Sequence, residues 1–132
     1  MKLLSLNTGT FKLDGGAMFG IVPKVLWQKV YPADENNLVT LSMKTLLIET
    51  DNRLILVDTG IGNKQDEKFY NNFGLTQNYN LVDLLHQIGY NPQDVTDIIH
   101  THLHFDHCGW TIGRDNNGNF YNIFPNAKLH VS

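Results

Sequence analysis

Short runs of apolar residues separated by polar turns predict a chain built mainly from β-strands in its first half. Runs rich in β-forming residues predict strands over 38–43, 46–50 and 54–58. Asp51 and Asn52 separate the last two runs, which predicts an antiparallel hairpin at that turn. Because these runs are apolar almost throughout, we expect both faces of the sheet to be covered.

A helical pattern replaces the strand pattern after residue 80. Apolar residues recur there at helical spacing, and they are Leu81, Leu84, Leu85 and Ile88. Asn80 can cap this predicted helix, and Gly89 can end it. Weaker helical patterns lie between Lys64 and Phe73 and between Pro23 and Val30.

The second half of the chain adds predicted strands over 95–100, 120–124 and 127–131. The strand over 95–100 leads directly into a histidine-rich segment. This order predicts an α/β layered arrangement with a functional site at a strand end. Asp14, Gly15 and Gly16 predict a turn with no helix after it, and therefore no phosphate-binding loop.

The length, amino-acid composition and charge of the chain exclude several classes of protein. A length of 132 residues, with 42% hydrophobic and 17% charged residues, predicts one folded domain and excludes a disordered chain. The net charge of −3 argues against a nucleic-acid partner. No apolar run approaches the roughly 20 residues of a membrane span, so we expect no membrane partner. The single cysteine, Cys108, excludes an internal disulfide, and with no signal-peptide pattern we expect a cytoplasmic location.

Four of the six histidines fall within eight residues, from His100 to His107. In extended backbone, residues two apart point to the same side, so His102 and His104 can direct both imidazoles at one point. Asp106 and His107 lie where the chain turns, and they can face a second point nearby. Imidazole and carboxylate suit zinc, and also iron or manganese. The spacing favours two adjacent divalent metal ions with open positions.

Such a pair of cations has a defined chemistry. Two metal ions about 3.5–4 Å apart can acidify a shared water and polarise a carbonyl or phosphoryl oxygen. Asp106 would then be catalytic, because it could carry a proton to the leaving group. Phe105 and Leu103 would point the other way and anchor the loop in the core. The alternatives are histidines without any ligand and a single structural metal.

Other residues have a structural and a functional interpretation. His100 is either packed under the loop or a donor to its ligands, and packing is favoured. Cys108 is better explained as a small turn residue than as a soft metal ligand. Trp27 and Trp110 are expected in the core. Met18 and Phe19 are the best candidates for an apolar substrate pocket, because they lie in a glycine-flanked segment.

Three segments resemble a known family. The motif HLHFDH over residues 102–107 resembles the signature of the metallo-β-lactamase superfamily, most of whose members are dinuclear metal hydrolases. The motif LVDTG over residues 56–60 is similar to a strand-end motif of that family. Its aspartate, Asp58, would support the metal-ligand loop rather than bind metal. Residues 15–24 resemble the lactonase-like branch.

The resemblance implies a fold and an activity. The fold would be the N-terminal half of a four-layer αβ/βα sandwich, a mixed and largely antiparallel sheet flanked by helices, spanning residues 1–132 without the C-terminal half. The implied function is a hydrolase that uses a metal-bound water to cleave a small-molecule lactone or ester. This chain would hold only four of the expected ligands (His102, His104, Asp106 and His107) and would be inactive alone.

The resemblance leaves alternatives open. One is a truncated, non-enzymatic module that binds metal or forms oligomers. Another is a phosphotriester or thioester hydrolase with the same site. We also expect a homo-oligomer, because the face of a half-domain would expose apolar surface to solvent.

Overall fold

The structure is a computed structural model that describes residues 1–75 and 77–131. The strands are β1 (Lys2–Asp14), β2 (Leu38–Glu49), β3 (Leu54–Val57), β4 (Gln77–Asn78), β5 (Asp97–His100), β6 (Ile112–Arg114), β7 (Phe120–Asn122) and β8 (Lys128–Val131). The helices are α1 (Gly15–Phe19), α2 (Lys24–Trp27), α3 (Glu67–Asn72), α4 (Leu81–Gln87) and α5 (Phe105–Cys108), with 3₁₀ turns at Pro92–Asp94 and Gly109–Thr111. Within this part of the chain, no helix is long and apolar enough to span a bilayer.

One mixed sheet organises the molecule, in the order β4-β1-β2-β3-β5-β8, and β6 and β7 form a separate hairpin. The pairs β1–β2, β1–β4 and β2–β3 are antiparallel, whereas β3–β5 and β5–β8 are parallel. The predicted mixed, largely antiparallel α/β fold is confirmed. Because β3 and β5 run in the same direction, their carboxyl ends meet at one edge of the sheet.

Two predictions for the first half were wrong. The strands expected over 38–43 and 46–50 form the single strand β2, because Thr45 is buried and paired with Leu6 instead of breaking the run. The turn expected after Asp14 is the start of α1. The Asp14 carboxylate accepts a hydrogen bond from the backbone N–H of Ala17, which satisfies a free donor at the helix start.

The core lies on one face of the sheet. A β-bulge between Asn7 and Gly9 shifts the register of β1, so that Leu6 and Phe11 both face this core although they are an odd number of residues apart. Helix α4 covers one end of the face and α3 covers the other. The buried residues of the larger cluster include Leu47, Leu56, Leu81, Leu85 and Val95, and those of the smaller cluster are Phe11, Met43 and Ile61.

The opposite face of the sheet carries exposed apolar side chains. Leu3, Leu46 and Ile99 lie on that face, and each is more than a third exposed. Exposed contiguous apolar surface favours association.

We therefore expect the isolated 132-residue chain to associate with copies of itself through this face. The double substitution Leu46→Lys and Ile99→Lys is expected to lower the mass measured by static light scattering to that of a monomer. Val30→Lys, at an exposed position outside the sheet, is the control and should leave the assembly unchanged. A stable dilute monomer formed by the unsubstituted chain would contradict the prediction.

Asp97, the first residue of β5, contacts the residue before β3, the residue before β5 and a residue of β8. Its carboxylate accepts from His130 Nε2 at 2.8 Å and from the Thr96 hydroxyl at 2.8 Å, and Arg53 Nη1 lies at 3.4 Å. These partners, the His130 hydrogen bond above all, hold the pKa of Asp97 below its ordinary value. His130, isolated in the sequence, thus has a structural partner on the neighbouring strand.

The lowered pKa of Asp97 makes stability depend on pH. The ionised carboxylate stabilises the fold above the pKa of the unfolded chain, about 3.9, and this contribution is lost as pH falls through the lower folded pKa. We expect the free energy of unfolding, measured in urea, to decrease as the pH is lowered below about 4. This decrease should be less steep in Asp97→Asn. Asp51→Asn, in the exposed hairpin turn, is the control. An unchanged slope in Asp97→Asn would contradict this prediction.

Candidate metal centre

The two loops that follow β3 and β5 are joined by backbone hydrogen bonds. The Asp58 N–H donates to the Ile99 carbonyl at 2.9 Å, and the Thr59 N–H donates to the His107 carbonyl at 2.6 Å. The Gly109 N–H donates to the Gly60 carbonyl at 2.7 Å. The histidine-rich segment is therefore fixed against the strand-end loop that contains Asp58.

Gly109 permits this close contact between the loops. A Cβ atom at this position would lie 1.9 Å from the backbone carbonyl carbon of Ile61 and 2.5 Å from the amide nitrogen of Gly62. Both neighbours are backbone atoms, which cannot rotate away as a side chain can. The sequence requires glycine here because the two loops touch.

Gly109→Ala is expected to separate the loops and to lower the free energy of unfolding by about 1–3 kcal/mol, the usual cost of overpacking. It should also weaken metal binding, since His107 lies on the displaced segment. Gly16→Ala is the matched control, because the nearest atom to its Cβ would be Asp14 Oδ1 at 2.9 Å, the far end of a side chain rather than backbone. Urea unfolding of both variants tests this, and equal stability would contradict it.

The imidazoles of His102 and His104 converge. His102 Nε2 lies 3.0 Å from His104 Nδ1, and the ring centroids are 4.5 Å apart. His104 has extended backbone angles and immediately precedes α5, so the strand-like alternation inferred from the sequence persists up to this residue. The His107 ring lies 4.1 Å from the His102 ring, which brings three imidazoles into one cluster.

Asp106 and His107 form a second pair of donor atoms on α5. Asp106 Oδ2 lies 3.2 Å from His107 Nε2. Phe105 anchors this turn in the core, with its ring centroid 4.3 Å from that of Phe73 and 5.5 Å from that of Phe69. The anchoring expected of Phe105 is confirmed, but that of Leu103 was wrong, because the Leu103 side chain is 61% exposed.

Asp58 lies beneath both pairs. Its backbone has a φ of 56°, in the left-handed region, and its carboxylate accepts from the Thr101 N–H, the Thr101 hydroxyl and His107 Nδ1 at 2.8–2.9 Å. Burial alone would raise the pKa of Asp58. The hydrogen bonds from His107 and Thr101 outweigh burial and hold the pKa below its ordinary value. The Asp58 carboxylate therefore fixes the positions of Thr101 and His107 through hydrogen bonds.

His100 is buried under the loop, in line with the favoured interpretation. Its Nε2 atom lies 2.9 Å from the Thr111 hydroxyl, and its Nδ1 atom lies 3.8 Å from Asp58 Oδ1. Burial lowers the pKa of His100, which favours the neutral ring. Cys108 Sγ donates a hydrogen bond to the Leu103 carbonyl at 3.7 Å. Trp27 and Trp110 are buried, as expected of core residues.

The donor atoms fit two cations with two ligands each. Zinc with tetrahedral ligands at about 2.0–2.1 Å would space two donors by about 3.3 Å, close to both pairs. His107 Nδ1 contacts Asp58, so Nε2 is the His107 nitrogen that faces Asp106. Within residues 1–75 and 77–131, no group of three or more His, Cys, Asp or Glu side chains is arranged to hold a metal ion.

A cavity of about 240 Å³ opens beside the second pair. It is lined by Ser42, Met43, Lys44, Asp58, Asp106 and His107. The sequence did not indicate Ser42 or Lys44, because their place depends on the register of β2 against β3. The Lys44 ammonium has no ion-pair or hydrogen-bond partner among the described residues.

Met18 and Phe19 do not line this cavity. Phe19 stacks on Trp27 with ring centroids 4.7 Å apart, and it also contacts Tyr31. The Met18 side chain is exposed on α1. Their role in a substrate pocket stays a prediction.

A mixed sheet with a histidine- and aspartate-bearing loop at its strand ends is typical of metal-dependent hydrolase domains. The sequence model of the metallo-beta-lactamase superfamily matches residues 44–113, which include Asp58 and all four predicted ligands. The match covers more than half of the chain, so this protein belongs to the metallo-beta-lactamase superfamily. The predicted family is confirmed.

Several relatives are similar to this chain. An N-acyl homoserine lactonase from Bacillus cereus is 36% identical over 83 residues, which cover 55% of this chain and 33% of the lactonase. A crystal structure from Staphylococcus aureus, described as a probable metal-dependent hydrolase, is 40% identical with a TM-score of 0.86, and the match covers 97% of this chain and 45% of that one. The dizinc quorum-quenching lactonase AidC, in complex with a product, is 28% identical with a TM-score of 0.67, over 96% of this chain and 40% of AidC. The chain spans less than half the length of these relatives.

Proposed function

We propose that this chain supplies part of the active site of an enzyme that hydrolyses a small-molecule lactone or ester. The observation that carries the proposal is the arrangement of four donor side chains as two pairs, His102 with His104 and Asp106 with His107, beside an open cavity. The similarity to lactonases supports the choice of substrate class.

The donor chemistry supports two divalent metal ions, with zinc as the first choice and iron or manganese as alternatives. His102 Nε2 and His104 Nδ1 would hold one ion. Asp106 Oδ2 and His107 Nε2 would hold the other. When bound, the ions would supply an acidic water and polarise the carbonyl of the substrate.

The residues of the chain would position the substrate and move a proton. Asp106 lines the cavity, and its Oδ1 atom, which does not face His107, can carry a proton to the alcohol oxygen that leaves the acyl carbon. Lys44 also lines the cavity, and its ammonium is a candidate cationic group there. It can attract the carbonyl oxygen as negative charge develops there, and then the carboxylate of the product.

Metal analysis and a substrate panel test this proposal. We expect the full-length protein to contain two metal ions per chain by mass spectrometry, to hydrolyse lactones or esters, and to lose this activity to a chelator. His102→Ala should lower metal content, whereas His130→Ala, on β8 with its imidazole against Asp97, should not. Hydrolysis that survives complete metal removal would contradict the proposal.

The same panel separates the alternatives. Turnover of phosphotriesters or thioesters in preference to lactones would change the substrate class but keep the site. Stoichiometric metal without turnover of any substrate would indicate a non-enzymatic metal-binding module.

A further inference from the structure

We propose that the Thr101 hydroxyl is a positioning group that transmits the orienting effect of Asp58 to His102, so that one carboxylate orients a ligand of each donor pair. The inference rests on the proposed function, because it treats His102 and His107 as metal ligands.

The contacts of Thr101 carry the inference. Its Oγ1 atom lies 2.9 Å from Asp58 Oδ2 and 3.0 Å from His102 Nδ1. Its backbone N–H separately donates to Asp58 Oδ1 at 2.9 Å. The hydroxyl therefore lies between the carboxylate and the imidazole, while the N–H fixes the position of Thr101 itself.

The number of available protons determines which group donates in each hydrogen bond of the Thr101 hydroxyl. A threonine hydroxyl has one hydrogen to donate, and an ionised carboxylate can only accept. The Thr101 hydroxyl must then donate to Asp58 and accept from His102, which places a proton on His102 Nδ1. In a neutral ring this leaves the lone pair on Nε2, the atom that faces His104 Nδ1 at 3.0 Å.

The same carboxylate oxygen acts directly on the other pair. Asp58 Oδ2 also accepts from His107 Nδ1 at 2.8 Å, which leaves the His107 lone pair on Nε2, facing Asp106. Asp58 thus fixes the tautomer of His107 by contact and that of His102 through Thr101. Without the hydroxyl, His102 is free to place its proton on Nε2, and in that form Nε2 cannot bind a metal.

The test compares Thr101→Val with Thr101→Ser in the full-length protein, and both variants keep the backbone N–H. In metal-free protein, above the pH at which the histidines are protonated, ¹⁵N NMR of the imidazoles should show the Nδ1–H form of His102 in the parent and in Thr101→Ser. Thr101→Val should show a mixture of both tautomers. The His107 tautomer should be the same in all three, because its contact with Asp58 remains.

Zinc affinity gives a second readout. In competition with a chromophoric chelator, Thr101→Val should weaken one of the two zinc sites by about 10–100-fold, the usual effect of losing a partner of a metal ligand. Thr101→Ser should restore the affinity. If valine disturbs the fold, seen as a changed His107 signal, Thr101→Ala replaces it with the same expected result.

An unchanged His102 tautomer in Thr101→Val and in Thr101→Ala would overturn the inference. Failure of the proposed function would look different. In that case the parent protein would show no hydrolysis of lactone or ester, while the tautomers of His102 and His107 would still follow the pattern above.

Discussion

Replacing His104 with alanine in the full-length protein is expected to lower metal content and abolish hydrolysis together. His104 Nδ1 is one of only two donor atoms in its pair, so its loss leaves His102 Nε2 without a partner at 3.0 Å. Losing a group that only orients a metal ligand weakens metal binding by about 10–100-fold. Losing the ligand itself should weaken metal binding by a larger factor.

The measurement is metal analysis by mass spectrometry together with lactone and ester turnover. His86→Ala is the matched control, because His86 is an exposed histidine on α4, away from the loop. Unchanged metal content and turnover in His104→Ala would show that the assignment of the pair is wrong.

The second large effect is expected from Asp58→Asn. Asparagine tolerates the left-handed backbone of this position, so the substitution removes the charge without adding backbone strain. The amide lacks one of the two acceptor oxygens, and either Thr101 or His107 then loses its partner. We expect metal affinity to fall by about 10–100-fold, and the free energy of unfolding of the metal-free protein to fall by about 1–3 kcal/mol.

Chelator competition and urea unfolding measure these two quantities. Asp58→Ala should destabilise the fold more than Asp58→Asn, because it adds the cost of a left-handed conformation to the loss of hydrogen bonds. A variant Asp58→Asn with full metal affinity would show that the carboxylate does not orient the ligands.

The sequence predicted those parts of the site that depend on local spacing. His102 and His104, two residues apart in extended backbone, converge as expected, and α5 provides the turn that brings Asp106 beside His107. The family motif also indicated the place of Asp58 below the loop. The relations within the histidine-rich segment hold because each involves only the end of β5 and the residues directly after it, whereas the place of Asp58 came from the family motif.

Features that depend on tertiary register were missed. Lys44 lines the cavity because it lies on the part of β2 that extends beyond its pairing with β3. A prediction that divided β2 into two strands could not place this residue. The relay through Thr101 needs β5 beside β3, which no local pattern specifies. Leu103 was assigned to the core from alternation alone, but the turn into α5 leaves it in solvent.

The backbone bonds between the two strand-end loops have a consequence for how a cation would be captured. The N–H groups of Asp58, Thr59 and Gly109 are all paired by the protein's own carbonyls, so the loop is preorganised by folding. Ordering the backbone of one residue costs about 1–2 kcal/mol in conformational entropy. In this loop that entropy is lost when the chain folds and not when an ion binds. An arriving ion would then meet ligands already held in place, and little of its binding energy would go into arresting a mobile segment.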